Sequence, residues 1–338
     1  MTTEAAIGSL ASQTGAEPGR VISICLSAVV VAATTGEPRV LSLQAKTREG
    51  ADALPSGQLA PEHRTLESGL RAWVERQTKQ QLGYVEQLYT FGDRDRSGMD
   101  QGAAEWALAV AYLALVREAR PAGLAEASWR NWYGYFPWED WRSGRTAILD
   151  VIERRLRAWA KAGGTDAVRR LRRERVEATF GFGELGWNEE RVLERYELLF
   201  EAKLLPEAWR DCGGALPPRR GPIPGHPMAL DHRRMLATAI GRLRGKIKYR
   251  PVIFELMPPA FTLLELQRTV EALAGVRLHK QNFRRLVEAQ GLVEETGETS
   301  TETGGRPARL VCFRREVLLE RPAPGLRLPR QAVLTRET

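Results

Sequence analysis

The sequence predicts an α+β protein with two domains: an N-terminal α/β/α sandwich that carries a helical insertion, and a small basic domain at the C-terminus. Three observations support this prediction. At 338 residues the chain is long for a single hydrophobic core. Apolar, strand-like segments occur between residues 21 and 116, whereas helical periodicity dominates from residue 146 onward. A Pro/Gly-rich stretch at residues 213–227, GGALPPRRGPIPGHP, is the best domain boundary in the chain.

These features divide the chain into segments. The predicted segments are a flexible tail at residues 1–18, a first domain at 19–212 with its insertion at about 146–209, a linker at 213–226, a second domain at 227–320 and a tail at 321–338. The chain has no run of ~18 apolar residues and no basic-then-apolar leader. Its three cysteines and four histidines form no disulfide framework and no zinc-binding spacing. We therefore expect a cytoplasmic protein with no membrane partner.

Positive charge is concentrated in the last third of the chain. From Arg219 onward there are 22 basic and 12 acidic residues, whereas the first 218 residues carry a net charge of −2. A basic region of domain size favours a polyanionic partner, most often nucleic acid.

Four segments of the first domain are β-rich or continuously apolar, and they predict strands at residues 21–33, 40–44, 85–91 and 106–116. An amphipathic helix is predicted between the second and third of them. Its apolar residues recur at helical spacing and are Leu66, Leu70, Trp73 and Val74.

The stretch that contains this helix is GQLAPEHRTLESGLRAWVERQTK, at residues 57–79. It resembles the box of the Nudix family of nucleotide hydrolases, G-x5-E-x7-R-E-U-x-E-E-x-G-U, in which U is a bulky aliphatic residue. Registered on Gly57, the box arginine falls on Arg71 and the second helix glutamate on Glu75. The other box positions are substituted: the first glutamate by His63, the remaining helix glutamates by Ala72 and Arg76, the first apolar position by Trp73 and the glycine by Thr78.

The substitutions change what this helix face can bind. Residues 72, 75 and 76 share one face because they are spaced i, i+3 and i+4. Three carboxylates there would hold Mg²⁺, whereas one carboxylate beside an arginine would not, so we expect neither a metal nor a catalytic residue. Arg76 instead offers a fork of donors suited to phosphate. Arg71, Glu75 and Arg76 are therefore candidate ligand-binding residues; the alternative is an ordinary solvated helix face.

The densest aromatic stretch of the chain is WRNWYGYFPWEDWR, at residues 129–142. Seven of the thirteen residues from 129 to 141 are aromatic and follow no simple period, which leaves two interpretations. The stretch is either part of a core or dimer interface, or a wall that stacks on an adenine or nicotinamide ring. In the second case Trp132 and Trp138 would contact the ring, and Arg142 or Arg130 would lie near phosphate.

The insertion is helical and strongly charged. Apolar residues at helical spacing predict two helices, one through Ile148, Ile152, Leu156 and Trp159 and one through Val192, Tyr196, Leu199 and Phe200. Its basic run, VRRLRRER at residues 168–175, is interpreted as a solvated face rather than a nucleic-acid contact, because acidic residues flank it.

The second domain has the element order of a winged helix-turn-helix. A helix at residues 231–249 precedes a second helix, which opens with a capping box at Thr262 and Glu265 and runs to about residue 274. A turn leads to a third helix at 280–290. An extended segment begins at Leu292, followed by a polar loop at 294–303 and a returning strand at 308–313.

The third helix has the residues of a DNA-reading helix. Phe283, Leu286 and Val287 would face the core, which leaves a polar set for the major groove. The candidate DNA-binding residues are Lys280, Gln281, Asn282, Arg284 and Arg285 on this helix, with Arg306 and Arg309 on the wing. Winged helices also bind proteins, but the basic excess of this domain favours double-stranded DNA.

Residues 227–315, which include LHKQNFRRLVEAQGLVEETGE and GGRPARL, resemble the C-terminal domain of Nudix-related transcriptional regulators of the NrtR type. The aromatic stretch and the insertion look more like the NadQ group of NAD-biosynthesis regulators. The resemblance implies a homodimeric, nucleoid-associated repressor that reads a palindromic operator. It also implies a sensed adenine nucleotide, namely NAD, ADP-ribose or ATP, and no catalytic cofactor.

Two other functions remain open. A diverged Nudix hydrolase of ADP-ribose-like nucleotides, fused to a DNA-binding domain, would need metal ligands from Glu62, Glu67 and Glu75. An interaction protein would use the aromatic stretch to bind another polypeptide, with DNA binding incidental.

Overall fold

The structure is a computed structural model and describes residues 22–34, 36–44, 51–92, 106–117, 127–212, 223–300 and 307–326. The predicted N-terminal tail, most of the predicted linker and the wing residue Arg306 lie outside these ranges. No helix within them is both long enough and apolar enough to span a membrane.

A seven-stranded sheet forms the centre of the first domain. Its strands are β1 (Ile22–Thr34), β2 (Glu37–Gln44), β3 (Asp52–Ala53), β4 (Ser56–Gln58), β5 (Tyr84–Phe91), β6 (Trp106–Leu115) and β7 (Ala127–Asn131). The order is β3-β2-β1-β6-β5, with β4 paired to β1 and β7 to β2. Strands β1 and β6 are parallel, and the other pairs are antiparallel. The four predicted strands are confirmed, whereas the short β3 and β4 and the later β7 were not predicted.

One face of the sheet is covered by the predicted helix, α1 (Leu66–Thr78). Thr65 caps its start and exchanges hydrogen bonds with Ser68 in a capping box. Leu70 and Val74 pack on alternate residues of β1, such as Leu26 and Val30, in a separate hydrophobic cluster. This packing orients the opposite side of α1 toward solvent.

The remaining elements follow in chain order. They are α2 (Ile148–Lys161), α3 (Asp166–Phe180), α4 (Val192–Glu201), α5 (Pro206–Arg210), α6 (His232–Ile247), β8 (Phe261–Thr262), α7 (Leu263–Ala274), α8 (Lys280–Ala289), β9 (Val293–Ser300), β10 (Ala308–Phe313) and α9 (Val317–Glu320). The two helices predicted in the insertion correspond to α2 and α4.

The second helical layer of the sandwich comes from beyond the predicted linker. Helices α6 and α7 lie against the sheet, with α7 on β1 and β2 and α6 on β1, β5 and β6. Buried residues of the sheet, the insertion and the C-terminal helices belong to one hydrophobic cluster. The predicted α/β/α sandwich is confirmed, with the C-terminal region completing it.

The aromatic stretch is part of this core. Trp132, Phe136 and Trp138 have no exposed surface, and Tyr135 is almost as fully buried. Their rings pack edge to face, for example Phe136 on Trp138 with centroids 5.9 Å apart. The stacking role predicted for Trp132 and Trp138 is therefore wrong for this conformation, because neither ring has a face open to a ligand. The core interpretation of the stretch is the one that fits.

The C-terminal elements form a winged helix. Strands β8, β10 and β9 make a three-stranded sheet beside α7 and α8. The capping box at Thr262 and Glu265 is present, and Gly275 ends α7 in the left-handed conformation at φ 75°. The polar loop predicted at residues 294–303 is wrong up to Ser300, because these residues pair with β10 as a mostly exposed strand. Exposure on both faces removed the hydrophobic alternation that would have indicated a strand.

Candidate functional site

Helix α8 presents the predicted polar set to solvent. Lys280, Gln281, Asn282, Arg284 and Arg285 are all exposed. Phe283 and Val287 are buried on the opposite side. The predicted amphipathic helix is thus confirmed, and its exposed face has the donors and acceptors that contact base edges and phosphates.

Two of these side chains are already paired with each other. The Arg285 guanidinium donates to Asn282 Oδ1 over 2.6 Å, between residues three apart on α8. The bond occupies the amide oxygen of Asn282 and leaves its NH₂ group available as a donor. It also limits the conformations of Arg285, because one of its nitrogens is fixed on the helix.

The predicted wing residue Arg309 forms an ion pair within the wing. Arg309 on β10 lies 2.6 Å from the Glu295 carboxylate of β9, and both side chains are largely exposed. A contact between Arg309 and a phosphate would therefore replace an existing ion pair. The other predicted wing residue, Arg306, lies outside the described residues.

The first glycine of the box, Gly57, lies on β4, where a larger residue would clash with Trp73. A Cβ at Gly57 would lie 2.1 Å from the Trp73 ring, so the ring packs directly on the β4 backbone. The Trp73 indole Nε1 donates to the Gln58 carbonyl over 2.8 Å. The Arg76 guanidinium lies 4.7 Å from the centroid of the Trp73 ring, which is cation–π distance. Glycine, tryptophan and arginine thus stack in that order at the exposed edge of α1.

Arg71 ties α1 to the loop that follows it. Its guanidinium donates to the carbonyls of Leu82 and Gly83 and to the Glu67 carboxylate one turn earlier. Because its guanidinium makes these bonds, Arg71 has a structural role, and Glu75 and Arg76 are the exposed charged residues of the box face.

His63 stands at the position of the first box glutamate, and its Nδ1 accepts a hydrogen bond from the Ala60 amide. Among the described residues, no three His, Cys, Asp or Glu side chains come together in a way that would hold a metal ion.

The predicted ligand residues are not gathered in one place. Arg76 and Glu75 belong to the α1 side of the sheet, whereas Trp132 and Trp138 lie in the cluster on the other side. Arg142 is half-buried and bonds to both oxygens of Asp140 and to the Gly36 carbonyl. Burial opposes ionisation of Asp140, but these bonds outweigh it and lower the pKa of the carboxyl. Arg142 therefore connects the aromatic stretch to the turn between β1 and β2. Arg130 is exposed, with Asp52 at 3.9 Å.

A buried charge cluster joins the aromatic stretch to α4 and α6, and sequence reasoning missed it. Glu139 accepts from Arg195 of α4 over 2.6 Å and from Arg244 of α6 over 2.7 Å. All three side chains have no exposed surface. Tyr133 adds a bond to the Ala272 carbonyl of α7 over 2.7 Å. Tyr133 and Glu139 belong to the aromatic stretch, whereas Arg195 and Arg244 are 56 and 105 residues from Glu139, so no local motif indicates the cluster.

Comparisons with known proteins agree with this architecture. Residues 253–313 match the model of the NrtR DNA-binding winged helix domain. The chain is also 43% identical over 86 residues to the ADPR responsive transcriptional repressor NtrR of Acinetobacter baylyi. That match covers 25% of this chain and about a third of the relative, 34% of its length.

Two solved structures share the fold. Shewanella oneidensis NrtR, solved in complex with a 27mer DNA, has a TM-score of 0.51 at 21% identity, covering 87% of this chain and 94% of that one. A MutT/nudix family protein from Enterococcus faecalis has a TM-score of 0.53 at 16% identity, covering 93% and 94%. At these identities the similarity shows the fold, a Nudix-like sandwich followed by a winged helix. The chain thus carries an NrtR-type winged helix domain at residues 253–313 and resembles the Nudix-related transcriptional regulators of the NrtR type.

Proposed function

We propose that this chain is a DNA-binding transcriptional repressor of NAD-biosynthesis genes, whose Nudix-like domain senses an adenine nucleotide. The observation that carries the proposal is α8, which exposes five polar residues within a segment that matches an NrtR DNA-binding domain. The similarity to an ADPR responsive repressor supports the regulatory role, and among NAD, ADP-ribose and ATP it favours ADP-ribose as the proposed ligand.

In this proposal the protein acts as a homodimer on a palindromic operator. One α8 enters the major groove of each half-site, and the wing contacts the flanking backbone. Arg284 and Arg285 suit guanine, and the amide of Asn282 suits adenine. Lys280 opens the helix and suits a phosphate.

The box face of α1 is the proposed place for ligand phosphates. Arg76 is exposed and is held beside Trp73 without an ion pair among the described residues. A planar fork of donors there suits a diphosphate. Ala72 and Arg76 stand where a hydrolase would carry two metal-binding glutamates, so the proposed site binds without cleaving. A sensor of this kind would leave the nucleotide that it detects intact.

Signal transfer would cross the central sheet. The box helix lies on one face, and α6 and α7 of the DNA-binding region lie on the other. A ligand changes DNA binding only if it prefers one arrangement of these layers over another. The buried Glu139 cluster makes this junction stiff, because the insertion, α6 and α7 are fixed to the same aromatic segment.

The test is a gel-shift titration of the full chain on operators of NAD-synthesis genes, beside duplexes selected from a random palindromic pool. We expect specific binding that changes on addition of ADP-ribose, NAD or ATP. Binding no tighter than to random DNA of equal length would contradict the repressor assignment. Release of AMP from ADP-ribose with Mg²⁺, abolished by Glu75→Gln, would favour the hydrolase alternative instead.

A further inference from the structure

A groove on the helical insertion has features that neither α8 nor the box face uses. It lies between α2 and the segment that joins α4 to α5, and its volume is about 710 Å³. Small-molecule sites in proteins range over ~300–1,000 Å³. Its polar and aromatic lining defines the tryptophan groove: Arg154, Arg155, Trp159, Lys203 and Trp209.

Two indole rings form the walls of the tryptophan groove. Trp159 and Trp209 are half-buried and come from α2 and α5. Trp209 Nε1 donates to the Lys203 carbonyl over 2.9 Å, which fixes the orientation of that ring. The Arg172 guanidinium lies 4.3 Å from the centroid of the Trp159 ring and donates to the Trp159 carbonyl. Both rings are therefore held in place before any ligand arrives.

The charge of the groove is of one sign. Its lining includes three cationic side chains, and none of the described residues that line it is acidic. Arg154 and Lys203 are exposed, and Lys203 Nζ lies 5.4 Å from the centroid of the Trp209 ring. Cations at the edge of an aromatic, apolar groove match a ligand that combines a planar group with negative charge.

Lys203 occupies a backbone position that disfavours lysine. Its φ is 53°, in the left-handed region just after the end of α4, where glycine is the usual residue. Its amide donates to the Phe200 carbonyl over 2.9 Å, so the turn is a regular helix end. Strained positions of this kind cluster at functional sites. Here the strain places a cation against Trp209 at the rim of the groove.

We propose that the tryptophan groove binds a nucleotide, with its base against Trp159 and Trp209 and its phosphates between Arg154 and Lys203. The groove has the size of a small molecule and offers indole faces, which stack on any base. A DNA duplex keeps its base planes covered and does not fit these walls. The site is separate from the box face, since it is built by the insertion and requires no residue of α1.

Isothermal titration of the full chain with ADP tests the proposal, with inorganic pyrophosphate as a probe for the phosphate part alone. Trp209→Leu should weaken ADP binding by about tenfold and leave pyrophosphate binding unchanged, because it removes only the stacking surface. Lys203→Gly should weaken both ligands by a similar factor. It should not lower the melting temperature, because glycine suits the left-handed turn.

The matched control is Arg157→Ala with Lys161→Ala, which removes two exposed cations of α2 that do not line the tryptophan groove. We expect this control to bind ADP with wild-type affinity. We also expect ADP binding at the tryptophan groove to persist in Arg76→Ala, because Arg76 belongs to the box face. The proposal is overturned if wild type binds no ADP at millimolar concentration, if the control loses as much affinity as the groove variants, or if Arg76→Ala alone abolishes the binding event. DNA binding by α8 is measured separately, so failure of the groove leaves the repressor proposal untouched.

Discussion

Arg244 of α6 donates to the Glu139 carboxylate over 2.7 Å, and neither side chain has any exposed surface. The second oxygen of the carboxylate accepts from Arg195 of α4, over 2.6 Å. A buried carboxylate between two guanidiniums is stable only while all three groups are present, because each charge left alone would lie in a medium of low dielectric. The pairing therefore fixes α4 of the insertion and α6 to the aromatic segment.

Replacing Glu139 with alanine should lower the free energy of unfolding by about 3–5 kcal/mol, because two buried guanidiniums lose their partner. Urea unfolding followed by circular dichroism measures the loss. Glu153→Ala, which removes a carboxylate paired with the exposed Arg145 and Arg157, should cost at most about 1 kcal/mol. Equal losses of unfolding free energy in the two variants would show that the buried cluster stabilises the fold no more than an exposed ion pair does.

Acid should loosen the contact between β5 and α6. Burial opposes ionisation of Glu86, but its bonds with Lys246 and Tyr84 outweigh burial and lower the pKa of the carboxyl. A lowered pKa means that Glu86 stabilises the fold above its unfolded pKa of about 4.3, and that this stability is lost as the pH falls further. Unfolding free energies measured between pH 6 and about pH 3 should decline less steeply in Glu86→Gln than in wild type. The same decline of the unfolding free energy with pH in Glu86→Gln and wild type would exclude Glu86 as a contributor to the loss of stability in acid.

Base reading by α8 should be sensitive to single side chains. Arg284→Ala or Arg285→Ala should weaken specific DNA binding by ~1–3 kcal/mol if the residue contacts a base. Asn282→Ala should also affect Arg285, which loses its 2.6 Å partner. Fluorescence anisotropy on operator and random duplexes separates specific from general losses. The control is Arg170→Ala, an exposed cation of α3, and wild-type discrimination in all three α8 variants would contradict the assignment.

The wing should bind DNA more tightly when Arg309 is released from Glu295. Glu295→Gln removes the carboxylate 2.6 Å from Arg309, so affinity for all sequences should rise and the salt dependence should steepen. Arg309→Ala should do the opposite and reduce the salt slope by about one. Titrations at several salt concentrations measure both. If Glu295→Gln weakens binding, the carboxylate itself contributes to recognition.

Ligand response should depend on Arg76 and not on Arg142. Arg76→Ala should diminish the effect of ADP-ribose on operator binding without changing affinity in its absence, because Arg76 lies exposed on the box face. Arg142→Ala should lower stability through the loss of its bonds to Asp140 and Gly36. The readout is a gel shift with and without ADP-ribose, beside a melting curve. A full ligand response in Arg76→Ala would place the ligand elsewhere.

Features encoded by local patterns were the ones that sequence analysis predicted well. The capping box at Thr262 and Glu265 and the apolar spacing of Phe283 and Val287 are set by neighbours in the chain, so the helices followed directly. Exposure of the α8 polar residues was predicted for the same reason. The long strands β1 and β6 were also predicted correctly, because their apolar runs are continuous.

Features that depend on residues distant in the sequence were not predicted, or were predicted wrongly, from the sequence. Aromatic density at residues 129–141 does not distinguish a core from a ligand wall, and only the packing of Trp132 and Trp138 against distant helices decides it. The Glu139 cluster spans more than 100 residues of sequence between Glu139 and Arg244. The position of α6 and α7 on the sheet likewise depends on the whole fold, so a linker-based division of the chain did not predict it.

The shared sheet has a consequence for how this protein unfolds and how it can be dissected. Because α6 and α7 supply the second cover of the strands, a fragment that ends near residue 212 would expose the apolar face of β1 and β2. In this arrangement the two halves of the chain share one buried apolar surface. The sheet with α1 and the winged helix should melt in a single cooperative transition. A chimera that exchanged only one of these parts would have to restore the packing of α6 and α7 on the sheet.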